Sequence, residues 1–533
     1  MRVSASAALA VAWLLWLGAA PPLRAPALET VLQRYAAATD RPGAIAITTL
    51  EISGQVAGSG LLGTFHTWRE GDRERDDNAL GARHERLFSS DGRLTIEDEN
   101  GDVRELRGLL ARRERTQRFI DSGDFITHPE SVNYFGIVQV DGRPAYGLEV
   151  TAPHGEPMKL YLDTTSALPL RQEYVEGDGP MWFDFSDWRE IDGHLFPWRA
   201  VLSDGDHAFD VMQFTSNVTI NGKIADATFV VPTPHYLALS APVIVPITES
   251  GSHLYCDVGI GGKHYHFLID SGSTGIVVDL RVAREQGLSV EGALELRGAT
   301  RTGGLQLVTL PTMHIGAASL DDIVAASLDL GASSHGTLRV DGILGYPLFA
   351  RALVKLDLDN NTMTLAAPGT LAPHGTRLEL ELDRGLPETS IGVNGMYRAP
   401  FLIDTGNSAE LLLFKWFVEQ YPSLGVGPTG PSGRSFGLGG STSSHRTIVD
   451  EIDLGGTKLY QRDAHVMMAT RGAFADRYDA GNVGLGVLHN FIMTFDEPDY
   501  ALFLEPSASF ADGHDRPLSR GNMSFMPRYP MAR

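Results

Sequence analysis

The chain is poor in cysteine, in positive charge and in long apolar runs. Cys256 is the single cysteine of 533 residues. That excludes an intrachain disulfide, a cysteine-based metal cage and a cysteine-pair redox site. Lys and Arg number 44 against 66 Asp and Glu, a formal net charge of −22. Such a balance argues against a nucleic-acid binder, because neutralising phosphates needs basic residues in excess. Only six of the 44 are lysine, an arginine bias that suits GC-rich bacterial coding. Beyond the N-terminus no stretch approaches the ~18 apolar residues of a membrane span. The charged share is 21% and the apolar share 43%, so the chain is neither disordered nor short of material for sizeable cores. Its length suggests three or four domains.

What is present begins at the N-terminus. Arg2 precedes an apolar stretch, Ala7 to Leu17, which Gly18-Ala19-Ala20-Pro21-Pro22 breaks. Ala25 and Ala27 offer an A-x-A cleavage site. Residues 1–27 are read as a signal peptide and the chain as exported, periplasmic or secreted, with no stable membrane span. An exported chain without disulfides must rely on core packing. Residues 28–232 read as a β-rich N-terminal domain. Leu28, Val31, Leu32 and Tyr35 predict a helix over 28–39, and Val103 to Ser122 predicts another. Short β-like runs separate turns such as Asp91-Gly92, Asn100-Gly101, Asp141-Gly142, Asp192-Gly193 and Asn221-Gly222, which suit hairpins needing positive φ. Runs at Ala44–Ile52, Lys159–Leu162, Met181–Phe185, Leu195–Leu202 and Phe209–Thr219 are expected strands. Residues 233–242 follow as a proline-bearing linker, and 508–533 as a loosely ordered tail.

The region between carries an internal repeat. Phe267-Leu268-Ile269-Asp270-Ser271-Gly272-Ser273-Thr274 recurs as Phe401-Leu402-Ile403-Asp404-Thr405-Gly406-Asn407-Ser408. Gly342-Ile343-Leu344-Gly345 is echoed by Asn482-Val483-Gly484-Leu485-Gly486. An apolar strand ending in Asp follows each echo, at Ala352–Asp357 and Phe491–Asp496. The spacing is too long for a solenoid and reads as two copies of one lobe, 243–372 and 373–507. In each copy a bulky strand delivers an Asp to a sharp turn whose amides favour the charged carboxylate. Gly272 and Gly406 leave room for a second copy to approach. Brought together about a pseudo-twofold axis, Asp270 and Asp404 would share one proton and titrate as a pair. One member could take a proton from water while the other polarises a carbonyl, hydrolysing an amide without metal, cofactor or covalent intermediate. The plainer reading is two β-turns with solvent-facing Asp. A third short match, Ile120-Asp121-Ser122-Gly123, follows a helix-like segment and lacks the downstream echo.

Residues 243–507 thus resemble a two-lobed aspartic peptidase of the pepsin/retropepsin type, each lobe nearer the retropepsin-like unit in length. The resemblance implies two pseudo-twofold-related β-barrel lobes in a mainly β chain, an aspartic-type endopeptidase activity, and Asp270 and Asp404 as the catalytic pair. It implies that the Ser271 and Thr405 hydroxyls bond across to the opposite lobe and that Ser273 lies near the outer oxygen of Asp270. Asn407 stands where Ser, Thr or Ala is usual. Gly345 and Gly486 would belong to strands crossing behind the site. Gly303, Gly304 and Leu305 are the flap candidates, with Phe436-Gly437-Leu438-Gly439-Gly440 in a similar place in the second lobe. Both could equally be plain glycine-rich hairpin tips.

Other motifs carry less. Gly433-Arg434-Ser435-Phe436-Gly437 matches a nucleophile elbow but lacks the flanking strand and helix. His264 and His266 share a strand face without a third metal ligand, and Cys256 reads as a buried thiol. No metal is expected. The N-terminal domain is similar in pattern to the LolA/LolB-type lipoprotein-carrier fold, on Trp68-Arg69-Glu70-Gly71-Asp72, Lys159–Asp163 with Leu168-Pro169-Leu170-Arg171, and Ile191–Pro197. That resemblance implies a hydrophobic ligand, with Phe65, Trp68, Trp182, Phe183, Trp188 and Trp198 lining a cavity or simply filling a core. The expected partner of the whole is a peptide or protein substrate, the chain acting as a monomer. The competing function is lipid or lipoprotein binding, with the lobes a degenerate scaffold.

Overall fold

The computed structural model describes residues 25–296, 298, 304–331, 338–427, 430–438 and 440–511. The signal-peptide reading and most of the tail fall outside them, as does Gly303. The protein is mainly β, with large antiparallel sheets and few helices. No helix among the described residues is long and apolar enough to cross a membrane.

The first sheet has thirteen strands and is a meander opened once: Thr49–Gly58 pairs with Leu61–Glu70 on one side and with Val211–Ile220 on the other. The turns Asp91-Gly92, Asp141-Gly142 and Asp192-Gly193 do take positive φ at both residues, as two-residue hairpins require. Asn221 also has positive φ but closes no hairpin; its side chain accepts from the Thr48 amide at the end of the sheet. The first predicted strand begins later than its apolar pattern suggests, at Thr49.

Helix Leu28–Thr39 lays Val31, Leu32 and Tyr35 on the sheet, against Ile120, Phe125, Leu148 and Leu160. The second helix is shorter than its pattern implied. Val103–Glu105 is an edge strand, and the helix runs Gly108–Asp121. Gly108 has φ +59 just before the turn starts, a backbone state that breaks an N-terminal extension of the helix. The six aromatics expected in a cavity or core are half-buried side chains in the sheet. Several pair with a neighbouring ring or with arginine, as Phe183 with Phe185 and Trp182 with Arg171.

The remainder forms two sheets, of fifteen and eight strands. Six strands of the larger sheet make a twofold-like centre. Leu353–Asp357 pairs antiparallel with Phe491–Asp496, and each is flanked by its own hairpin partner, Thr362–Ala366 or Ala501–Pro506. Val243–Ser250 and Thr376–Glu379 complete the two ends. The two apolar runs that follow the sequence echoes are therefore neighbours across the pseudo-axis. One apolar core runs through both halves, from Ile269 and Phe349 to Ile403 and Phe495.

A buried ion pair fastens the N-terminal sheet to this body. Arg351 Nε donates to Asp102 Oδ1 at 2.7 Å, and its Nη2 donates to the Asn100 carbonyl at 2.6 Å. Arg104 stacks over Tyr346, and the Glu105 amide donates to the Tyr500 hydroxyl. Asp102 and Arg351 are 2% and 4% exposed, so neither charge can be hydrated if the other is removed. Arg351→Ala is expected to lower the free energy of unfolding by about 3–5 kcal/mol. The double variant Arg351→Met, Asp102→Leu should recover most of that in denaturant melts; a single-variant loss below about 1 kcal/mol would contradict the coupling.

Candidate active site

Strands Lys263–Ile269 and Tyr397–Asp404 bury Phe267, Ile269, Phe401 and Ile403 in the core. That burial fixes where each chain end arrives. Asp270 and Asp404 emerge at the same place, and the turns behind them interlock. Ser271 Oγ donates to the Ile403 carbonyl at 2.7 Å and Thr405 Oγ1 donates to the Ile269 carbonyl at 2.9 Å. In return the Thr405 amide donates to Ser271 Oγ at 3.1 Å and the Ser271 amide to Thr405 Oγ1 at 3.0 Å. All four bonds are buried, and all four cross between the lobes. The closeness also explains the glycines. A Cβ on Gly272 would lie 2.5 Å from Asp404 Cγ, and one on Gly406 would lie 2.3 Å from Asp270 Cγ.

The two carboxyls are half-buried and hydrogen-bonded to each other. Their surroundings differ. Asp270 accepts from the Gly272 amide at 2.9 Å. Asp404 accepts from the Gly406 amide at 2.8 Å, the Asn407 amide at 3.0 Å and Asn482 Nδ2 at 2.6 Å. Burial, then the Asp404 charge, pushes Asp270 well above the ordinary carboxylate range. Burial also raises Asp404, but the Asn482 amide and the bond from Asp270 pull it back. The pair therefore favours the proton on Asp270 and the charge on Asp404.

Asn482 is the residue the sequence reading missed. The strand register aligns Phe267 with Gly342 in one half and Phe401 with Gly481 in the other. The true echo of Gly342-Ile343-Leu344-Gly345 is thus Gly481-Asn482-Val483-Gly484, so the match to Gly345 is Gly484, two residues before Gly486. Asn482 replaces Ile343, and Asn407 Nδ2 holds Asn482 Oδ1 at 2.9 Å. The unusual Asn407 was the available signal: an amide side chain there needs a polar partner. The shift also corrects Gly486, which lies inside the short helix Leu485–Leu488 and not in a crossing strand. Gly345 and Gly484 are the matched pair, Gly345 just beyond its strand and Gly484 at the end of its own, each capping a short helix. The Ser273 hydroxyl donates to the Gly275 carbonyl at 2.9 Å.

The carboxyl pair lines a cavity of about 2000 Å³. Gly304 and Leu305 belong to a hairpin, paired with Glu295 and Leu294, and Leu305 faces the cavity. A second hairpin, Ser432–Gly437 with Gly440–Leu454, carries Phe436 and Leu438 to the same cavity, and Leu438 packs with Leu305 and Leu296. Part of the wall is N-terminal, with Tyr174, Met181, Leu202, Phe209 and Val211 among its residues.

The competing motifs dissolve. Ser435 sits mid-strand and donates to Ser444 Oγ at 2.9 Å. His264 pairs with Asp257 on the surface, and no group of three or more metal-type ligands exists among the described residues. Burial pushes the Cys256 thiol up to about 12, leaving it inert. Asp121 ends a helix.

Comparison with known proteins agrees with the repeat region. Residues 256–348 match the family profile described as aspartyl protease, so this stretch has an aspartyl-protease-like fold. No curated protein matches the chain. Among solved structures it is similar to three proteins. One is a DUF1329 family protein from Desulfovibrio piger (17% identity, TM-score 0.28, covering 38% of this chain and 95% of that one). Another is a domain assigned to outer membrane lipoprotein sorting from Vibrio parahaemolyticus (13%, 0.26, 38% and 95%). A LolA superfamily protein from Nitrosomonas europaea is the third (13%, 0.28, 39% and 99%).

Thr405→Val removes the hydroxyl that serves both lobes and strands the Ser271 amide. The expected loss is about 1–3 kcal/mol of unfolding free energy, read by chemical denaturation. An unchanged melt would contradict the interlock.

Proposed function

We propose that the protein is an exported aspartic-type endopeptidase that hydrolyses peptide bonds with a water held between Asp270 and Asp404. The observation that supports this most is the half-buried, hydrogen-bonded carboxyl pair with unequal donors, lining a cavity large enough for an extended peptide. Charged Asp404 takes a proton from the water as its oxygen attacks the peptide carbonyl carbon. Asp270 gives its proton to the carbonyl oxygen, so the tetrahedral intermediate forms without a buried oxyanion. The proton now on Asp404 passes to the departing nitrogen as the C–N bond breaks. Returning a hydroxyl proton to Asp270 restores the pair. The hairpin carrying Gly304 and Leu305 would close over the substrate and exclude bulk water. The apolar N-terminal residues share the cavity with the pair, so the N-terminal sheet acts as one wall of the substrate site.

Asp270→Asn and Asp404→Asn should each reduce peptide hydrolysis below detection; near-normal turnover in either would overturn the assignment. The pH profile should be bell-shaped. Activity rises as Asp404 ionises and falls when the raised Asp270 finally loses its proton. Asn482→Leu removes a donor that favours charged Asp404. Its acidic limb should move to higher pH, and a limb that stays or moves down would contradict the polarisation.

A further inference from the structure

A second carboxyl pair stands beside the first, and the mechanism above makes no use of it. Strand Leu386–Val393 pairs antiparallel with Tyr397–Asp404, setting Glu388 opposite Leu402. Gly481–Gly484 pairs parallel on the other side, setting Asn482 opposite Leu402. Directly opposed residues share a face, and residues two apart share it too. Glu388, Leu402, Asn482 and Asp404 therefore project to one side, while Phe401 and Ile403 fill the core. Asp479 lies just before the Asn482 strand, held by its carbonyl, which accepts from Trp416 Nε1 at 2.7 Å. Glu388, Asp479 and the pair Asp270 and Asp404 line the same cavity.

The neighbouring acids each hold at least one partner, although Asp383 Oδ1 is itself buried without one. Asp383 and Glu176 bind Arg384, and Glu176 also binds Arg113. Asp476 accepts from the Tyr478 and Asp479 amides at 2.7 and 2.9 Å, and Asp178 from the Gly472 amide at 2.7 Å. Glu388 and Asp479 are different. They bond to each other, and Glu388 Oε2 and Asp479 Oδ1 are buried without a bond from any N–H or hydroxyl donor. Both residues are more than nine-tenths buried, at 2% and 8% exposure. An unmet carboxyl oxygen in such a place is costly. A group with several N–H donors and a positive charge would satisfy both oxygens at once. A bare metal ion suits the site poorly, because no third ligand is arranged around it.

We infer that Glu388 and Asp479 form a subsite for the ammonium or guanidinium of a lysine or arginine side chain of the substrate, next to the bond held at Asp270 and Asp404. The inference rests on the peptidase reading and narrows its substrate class to peptides with a basic residue near the cut.

The test separates binding from cleavage. Fluorescent peptides that carry lysine, arginine or norleucine at each position in turn are bound to the full-length Asp270→Asn variant. They are also offered to the unaltered protein for cleavage. At one position the basic peptides should bind about tenfold or more tighter than the norleucine peptide. In the Glu388→Gln and Asp479→Asn backgrounds that ratio should fall toward one. Should one background fail to fold, the other and the ratio in the unaltered pocket still decide. Equal binding of basic and norleucine peptides at every position overturns the subsite, even if cleavage is robust. Selective binding without cleavage by the unaltered protein supports the subsite and overturns the peptidase reading. No binding of any peptide overturns both.

Discussion

Two carboxyl groups in contact repel each other unless something holds them there. In this protein the holding is done by the reciprocal bonds of Ser271 and Thr405, each hydroxyl donating to the other lobe's strand and accepting from the other lobe's turn. These bonds are buried, so water does not compete for them. They fix the separation of the turns, and the fixed separation forces Asp270 and Asp404 to share a proton. Glycine at 272 and 406, the twofold-like central sheet and the continuous core all follow from keeping that one contact.

Symmetry creates the pair and a departure from symmetry gives it direction. Equivalent turns would leave the proton equally at home on either carboxyl. Asn482, held by Asn407, adds a donor to Asp404 that Ile343 cannot supply to Asp270. Charge and proton thereby acquire separate addresses. The N-terminal sheet adds a wall to the same cavity and is clamped to the body by Arg351 and Asp102. Its apolar residues Tyr174, Met181, Leu202, Phe209 and Val211 line the cavity that the carboxyl pair also lines.

Much of this was readable from the residues. The duplicated Phe-Leu-Ile-Asp run announced two strands and two turns, because alternation decides which side chains are buried and where the Asp must end. The Asp-Gly hairpins of the first sheet were equally plain, since positive φ at both turn residues suits few sequences. What failed to read through was register. Apolar pattern alone cannot fix a strand to within two residues, and so Gly486 was matched in place of Gly484 and Asn482 escaped notice. Contacts between distant segments were also silent. Nothing local marks Arg351 as the partner of Asp102, or Glu388 as the partner of Asp479, because burial that makes such pairs matter is a property of the folded sheets. The six N-terminal aromatics misled for the converse reason: large apolar rings suggest a core, and here many lie half-exposed along a sheet.

The sharing of one proton by Asp270 and Asp404 can be measured directly by carboxyl-resolved ¹³C NMR titration of aspartate-labelled protein, with Asp270→Asn and Asp404→Asn used to assign the signals. The expected result is a coupled pair that keeps one proton well above the ordinary carboxylate range, held mainly on Asp270, with the charge on Asp404. Two independent titrations near the usual aspartate value of about 4 would contradict it.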